Sequence, residues 1–210
     1  MFKRLFFTSL FMILSYYAHA QQFSYGPKIG LSLSTISAED NGTFTSRVGF
    51  TAGLMAEIKL SEKFSLQPEA LYSMQGAKAS NDYFIYDNGL EFENVIVKLD
   101  YINFPILAEY YITPKLSAQF GPQLSLLVNS KLELDFTYEG GTQFRSNSID
   151  EQIRDMDFGL SGGFEYILDN GILFNLRYNL GLRDFVLAAD GGLQGDNKNN
   201  VIQLSVGYKF

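Results

Sequence analysis

Apolar and polar residues alternate along this chain with a period of two, in eight separate segments, and no other feature limits its fold as tightly. Successive side chains of a β-strand point to opposite faces, so each such run carries one greasy face and one hydrophilic face. From Tyr25 the odd positions read Tyr25, Pro27, Ile29, Leu31 and Leu33, while the even ones read Gly26, Lys28, Gly30, Ser32 and Ser34. The second segment sets Val48, Phe50, Ala52, Leu54, Ala56 and Ile58 against Arg47, Gly49, Thr51, Gly53, Met55, Glu57 and Lys59. The same pattern continues from Phe64 to Gln75, Leu116 to Asn129, Asp157 to Leu168, Ile172 to Arg183 and Ile202 to Phe210. The fourth segment changes frame: Leu99 and Tyr101 share one parity, and Phe104, Ile106, Ala108 and Tyr110 share the other. A bulge near Ile102 and Asn103 is predicted to reconcile the two frames.

The connections alternate as well. Links after the second, fourth and sixth segments are about three residues, and Asp169-Asn170-Gly171 has the composition of a tight hairpin turn. The other links run from ten to twenty-six residues. Short turns at one end and long polar loops at the other predict an all-β fold: an eight-stranded antiparallel up-and-down transmembrane β-barrel.

A soluble barrel with its apolar face inside shares this alternation, and residue size separates the two. The greasy faces carry bulky Phe, Tyr and Leu throughout, too much volume for the narrow interior of eight strands. The hydrophilic faces are rich in Gly, Ser, Asn and Gln, which suits that interior. Charge agrees, because no greasy position carries one, whereas Lys28, Glu57, Lys59, Glu69, Glu109, Glu165, Arg177, Arg183 and Lys209 all fall on the other face. With both signs present they are expected to pair as a lumen charge network, since an isolated buried charge is far more costly than a paired one. The mean hydropathy of -0.02 is compatible with a membrane barrel, where the two faces cancel in the average.

Residues 1–20 read as a secretory signal peptide: Lys3 and Arg4, then an apolar run from Leu5 to Tyr17, then Ala18-His19-Ala20 as the cleavage pattern. The barrel domain is accordingly expected over 21–210. Processing removes His19, the single histidine, and the chain has no cysteine. A Ser-His triad, a histidine base, a thiol nucleophile and ordinary zinc sites are thereby excluded. The processed chain carries a formal charge of -9, which argues against nucleic acid as a partner. Neither a catalytic constellation nor a cofactor or metal motif is evident. Gly191, Gly192 and Gly195 lack the Lys-Ser/Thr ending of a phosphate-binding loop.

Four sequence stretches carry a resemblance: Tyr25-Gly26-Pro27-Lys28-Ile29-Gly30, Leu99 to Leu107, Arg177 to Leu182, and the terminal Val206-Gly207-Tyr208-Lys209-Phe210. In these the chain resembles the small bacterial outer-membrane β-barrels of the PorT-like type, related in architecture to OmpX and the OmpA transmembrane domain. The resemblance implies a bacterial outer-membrane location and contact with outer-membrane lipid. It also implies that Val206, Tyr208 and Phe210 form the terminal signal read by the barrel-insertion machinery. Family members include components of secretion systems, so the expected function is a non-enzymatic binding platform, or an accessory to a membrane assembly with a protein partner at the outer loops. Those stretches, 37–46, 79–95, 130–155 and 184–199, together carry -11. Two alternatives stay open on sequence: a narrow or gated transport channel, and a soluble periplasmic ligand-binding β-barrel.

Overall fold

The structure, a computed structural model, describes residues 22–37, 44–79, 91–138, 141–150, 153–186 and 197–210. The expected signal peptide lies outside the described residues. Among the described residues there are nine strands: β1 Phe23–Ser37, β2 Phe44–Lys59, β3 Phe64–Ala79, β4 Glu91–Tyr111, β5 Leu116–Tyr138, β6 Gly141–Ser148, β7 Met156–Ile167, β8 Ile172–Gly181 and β9 Lys198–Tyr208. Eight of them close a barrel. Each pairs antiparallel with its chain neighbours, β5 passing directly to β7, and the β1–β9 seam closes the ring.

The remaining strand, β6, was not expected. It pairs with the far half of β5, from Lys131↔Ser148 to Tyr138↔Gly141, while β4 covers the other edge of the same stretch. These three strands continue beyond the ring at its long-loop end. Nothing in the sequence of β6 marks it as a strand, because a sheet standing in water needs no greasy outer face.

Inside-outside alternation follows the predicted parity. β8 reads buried at Leu173, Asn175, Arg177 and Asn179 and exposed between them. Leu54, Phe120 and Leu176 are 64%, 60% and 53% exposed, values that no water-soluble core would tolerate in residues of this size. The predicted bulge in β4 is absent. Its register with β3 runs unbroken from Phe64↔Tyr110 to Lys78↔Ile96. A register shift lies instead in the β4–β5 pairing, where Asp100↔Asn129 is followed by Tyr101↔Leu127, so β5 holds the extra residue, Val128.

Leu99 and Tyr101 therefore keep their frame and point inward, fully buried. The reason is a stopper at the long-loop end. Ile153 and Val186 form a bridge, Arg154 donates its N–H to the Phe185 carbonyl at 2.8 Å, and the three apolar side chains pack on Ile36, Ala77, Val97, Leu99 and Tyr101. Asp184 fixes the segment by accepting from the N–H groups of Val186 and Asn197 at 3.0 and 3.3 Å. Here the interior is apolar.

At the short-turn end Gly171 adopts a φ of +86°, which closes the β7–β8 hairpin. Gly163 serves a different purpose: it faces Arg177 across the β7–β8 pair, and a Cβ there would sit 2.2 Å from the Leu176 carbonyl oxygen. Gly163→Val is expected to lower stability by about 1–3 kcal/mol, the usual cost of forced overpacking, read as a lower urea midpoint for the barrel in lipid vesicles.

Candidate functional site

The interior beneath the stopper is polar and organised around two carboxylate-centred clusters. In the first, Glu69 on β3 receives Arg177 of β8 in a two-pronged contact, Nη1 to Oε2 at 2.7 Å and Nη2 to Oε1 at 2.9 Å. Lys28 of β1 donates to the same carboxylate at 3.0 Å, and Gln67 at 2.8 Å. None of the three ionic side chains reaches solvent. Such a two-pronged guanidinium–carboxylate contact is among the strongest protein hydrogen-bonded pairs. It bridges strands on opposite sides of the ring, so Glu69 acts as a strut across the lumen.

The second cluster lies nearer the short turns. Lys209 is 2.7 Å from Glu57, 2.7 Å from Glu165 and 3.9 Å from Glu109. Ser65 donates to Glu109 at 3.0 Å and Ser117 donates to its other oxygen. Tyr111 donates its hydroxyl to Glu57 at 2.5 Å. Gln119 and Gln67 tie the clusters together: each donates to Glu165, at 3.1 and 3.3 Å, while the Gln119 carbonyl accepts from Arg177 at 3.0 Å. Asn175 also donates to that carbonyl, at 2.8 Å.

Seven of the nine predicted lumen charges are thus brought together: Lys28, Glu57, Glu69, Glu109, Glu165, Arg177 and Lys209. Lys59 and Arg183 are not, which corrects the expectation for both. Lys59 ends β2, where its ammonium lies 5.6 Å from the Tyr111 ring centre, at the lip of a cleft of about 620 Å³ shared with Gln22, Lys63 and Thr113. Arg183 lies past the end of β8 and donates to the Met156 carbonyl at 3.1 Å. Strand parity assigned both to the inner face, but beyond the ends of the ring that face opens to water and no longer encloses them.

The neutral partners carry no distinguishing signal in the sequence. Gln67, Gln119, Asn175, Ser65 and Ser117 stand on the inner face in the alternation, yet nothing in their spacing distinguishes a carboxylate-bridging amide from a space-filler. Nearer the stopper, the Ser161 hydroxyl lies 2.6 Å from the Asn179 side-chain oxygen and 3.0 Å from that of Gln123, donating its one hydrogen to either, and Gln203 donates to Thr51 at 3.1 Å. Val206, Tyr208 and Phe210 project outward, with the Phe210 ring 4.7 Å from Tyr208 and 5.7 Å from Tyr25. Among the described residues no group of three or more Asp, Glu, His or Cys is arranged to hold a metal.

A sequence family described as the outer membrane protein beta-barrel domain matches residues 19–186. No curated protein matches the chain in sequence. Among solved structures it is similar to Neisserial surface protein A, with 14% identity and a TM-score of 0.51 over 91% of this chain and 100% of that one. Ail, the attachment invasion locus protein of Yersinia pestis, solved in complex with the heparin analogue sucrose octasulfate, aligns at 13% identity and a TM-score of 0.48, covering 90% and 99%. OprG of Pseudomonas aeruginosa aligns at 12% identity and a TM-score of 0.41, covering 90% and 95%. Similarity at these identities concerns the fold alone.

The Glu69 strut gives a paired prediction. Glu69→Leu alone leaves Lys28 and Arg177 buried without a counter-ion, and it is expected to cost about 3–5 kcal/mol. Replacing all three by apolar residues of similar volume, Lys28→Met, Glu69→Leu and Arg177→Met together, is expected to restore stability to near the starting value. Urea unfolding in vesicles measures both.

Proposed function

The chain belongs to the outer membrane protein beta-barrel family, and from that premise we propose that it is a non-conducting, non-enzymatic barrel whose outer surface binds a partner or serves a membrane assembly. It lies in the bacterial outer membrane, with the short turns toward the periplasm and the long loops outward.

The observation that carries the reading is the filled interior. The ring is occupied from the Lys209 cluster, through the Glu69 strut, to the stopper of Ile153, Phe185 and Val186, all of them buried. Eight strands leave room for side chains and little else, which favours a closed barrel over the channel reading. Chemistry is disfavoured on the same grounds, because Glu57, Glu69, Glu109 and Glu165 of the two clusters are engaged by Arg, Lys, Ser, Tyr and Gln side chains inside the barrel.

What remains available to a partner is the outer end. There β4, β5 and β6 raise a three-stranded sheet above the ring, and Gln143 to Ser148 expose their side chains. A concentration of negative charge in the outer stretches favours a cationic surface, a basic peptide segment or lipopolysaccharide bridged by divalent cations. The PorT-like resemblance points the same way, toward an accessory role in a secretion or membrane assembly. In this reading Val206, Tyr208 and Phe210 form the terminal signal for the insertion machinery.

Two measurements test the proposal together. Purified barrel in a planar bilayer is expected to show no unitary conductance steps, and a stable stepwise current would favour the channel instead. Shortening the stretches 79–95 and 130–155 is expected to leave a folded, heat-modifiable barrel while abolishing capture of its partners from native membranes. Unchanged partners after both deletions would contradict a loop-borne function.

A further inference from the structure

The last strand is ambiguous in one respect that its hydrophobic pattern cannot resolve. Ile202, Leu204, Val206, Tyr208 and Phe210 face outward, while Gln203, Ser205 and Lys209 are buried on the inward face that Gly207 shares. A slip of one residue along β1 would turn every side chain to the wrong face. A slip of two residues keeps all the apolar groups toward lipid. Closing the ring at the β1–β9 seam therefore needs a further discriminator.

The interior supplies it. Lys209 reaches Glu57 on β2, Glu109 on β4 and Glu165 on β7, none of which pairs with β9. These contacts form only when the ring is closed and β9 lies at one height. Moving it by two residues displaces the Lys209 backbone by about 6–7 Å along the strand. The seam adds a second asymmetry, because Lys28 faces Gly207 in the native register. There a Cβ would meet Met55 Cε and the Pro27 carbonyl oxygen at 3.0 Å. One two-residue slip sets Lys209 directly across from Lys28, ammonium beside ammonium. The opposite slip sets Ser205 there and carries Lys209 out toward the periplasmic mouth. Either leaves Glu57, Glu109 and Glu165 facing one another without their cation, and like charges enclosed together are strongly unfavourable.

We propose that Lys209 is the register key of the closing strand: its ammonium, recognised by three glutamates from non-adjacent strands, selects one of the registers that the apolar pattern treats as equivalent. The final strand thus carries two kinds of information. Its outward face is an apolar stripe, and its inward face reads the barrel's own interior.

The absence of cysteine makes the test clean. Ile29 and Val206 are register partners across the seam. Directly opposite positions lie within disulfide reach, whereas positions two residues away do not. Three double variants of the full chain are expressed in a bacterial outer membrane and oxidised: I29C/V206C reports the native register, and I29C/L204C and I29C/Y208C report the two slips. With Lys209 in place the native pair alone is expected to cross-link. In K209Q the ratio of native to slipped cross-links is expected to fall by about tenfold or more, the factor equivalent to about 1.4 kcal/mol, and K209R is expected to restore it. Should K209Q fail to accumulate, the neutral cluster E57Q/E109Q/E165Q/K209Q is expected to fold and to cross-link in slipped registers. An unchanged native ratio in K209Q, or in the neutral cluster, overturns the proposal.

Discussion

Turning the bulky apolar side chains outward moves the whole problem of cohesion into a narrow polar interior. Hydrocarbon accepts Leu54, Phe120 and Leu176, but it gives no force that pulls opposite walls of the ring together. Inside, water is largely displaced by side chains, so every charge must find its partner across the lumen or carry the cost of burial. The contact of Arg177 with Glu69 meets that requirement and spans the ring from β8 to β3. The Lys209 cluster does the same for β2, β4 and β7 from the last residues of the chain.

The two ends of the interior are closed by different physics. At the short-turn end the closure is ionic, where Lys209 holds carboxylates that would otherwise repel one another. At the long-loop end it is apolar: the stopper brings Phe185 into one buried cluster with Leu99 and Tyr101, and burying such a ring is worth about 1.5–3 kcal/mol. That stopper comes from the segments flanking β7 and β8 rather than from the staves, so the outer seal depends on where those segments return to the ring. Above it stands the β4–β5–β6 sheet, free of the constraints that hydrocarbon imposes.

Most of the ring was legible because a membrane enforces strict alternation. Each stave had to present side chains such as Ile29, Leu54 or Leu176 to lipid, and parity alone then put Glu69, Arg177 and Lys209 inside. Alternation carries less information where that enforcement ends. Leu99 and Tyr101 share no frame with Phe104 and Ile106 on bulk alone, which is why the pattern suggests a bulge near Ile102 and Asn103; they point inward because Phe185 and Ile153, distant in sequence, make that level of the interior apolar. β6 was missed because Gln143 to Ser148 pair with β5 in water and carry no greasy face. Lys59 and Arg183 obey the parity of their strands but lie where the ring has already opened. The glutamine and serine bridges escaped notice for a different reason: which amide meets which carboxylate depends on how eight strands are staggered, and no single strand encodes that.

The direction in which the bulky side chains face is tested most directly by labelling them. Single cysteines placed at Leu54, Phe120 and Leu176 of the otherwise cysteine-free chain, each carrying a fluorophore, can be compared with a fourth at the exposed Ser146 on β6 in vesicles containing lipids that carry quenchers along their acyl chains. Strong quenching is expected at the first three positions and little at Ser146. Labels at Leu54, Phe120 and Leu176 that acyl-chain quenchers leave untouched, in a processed protein that stays monomeric in water without detergent, would contradict the outward orientation.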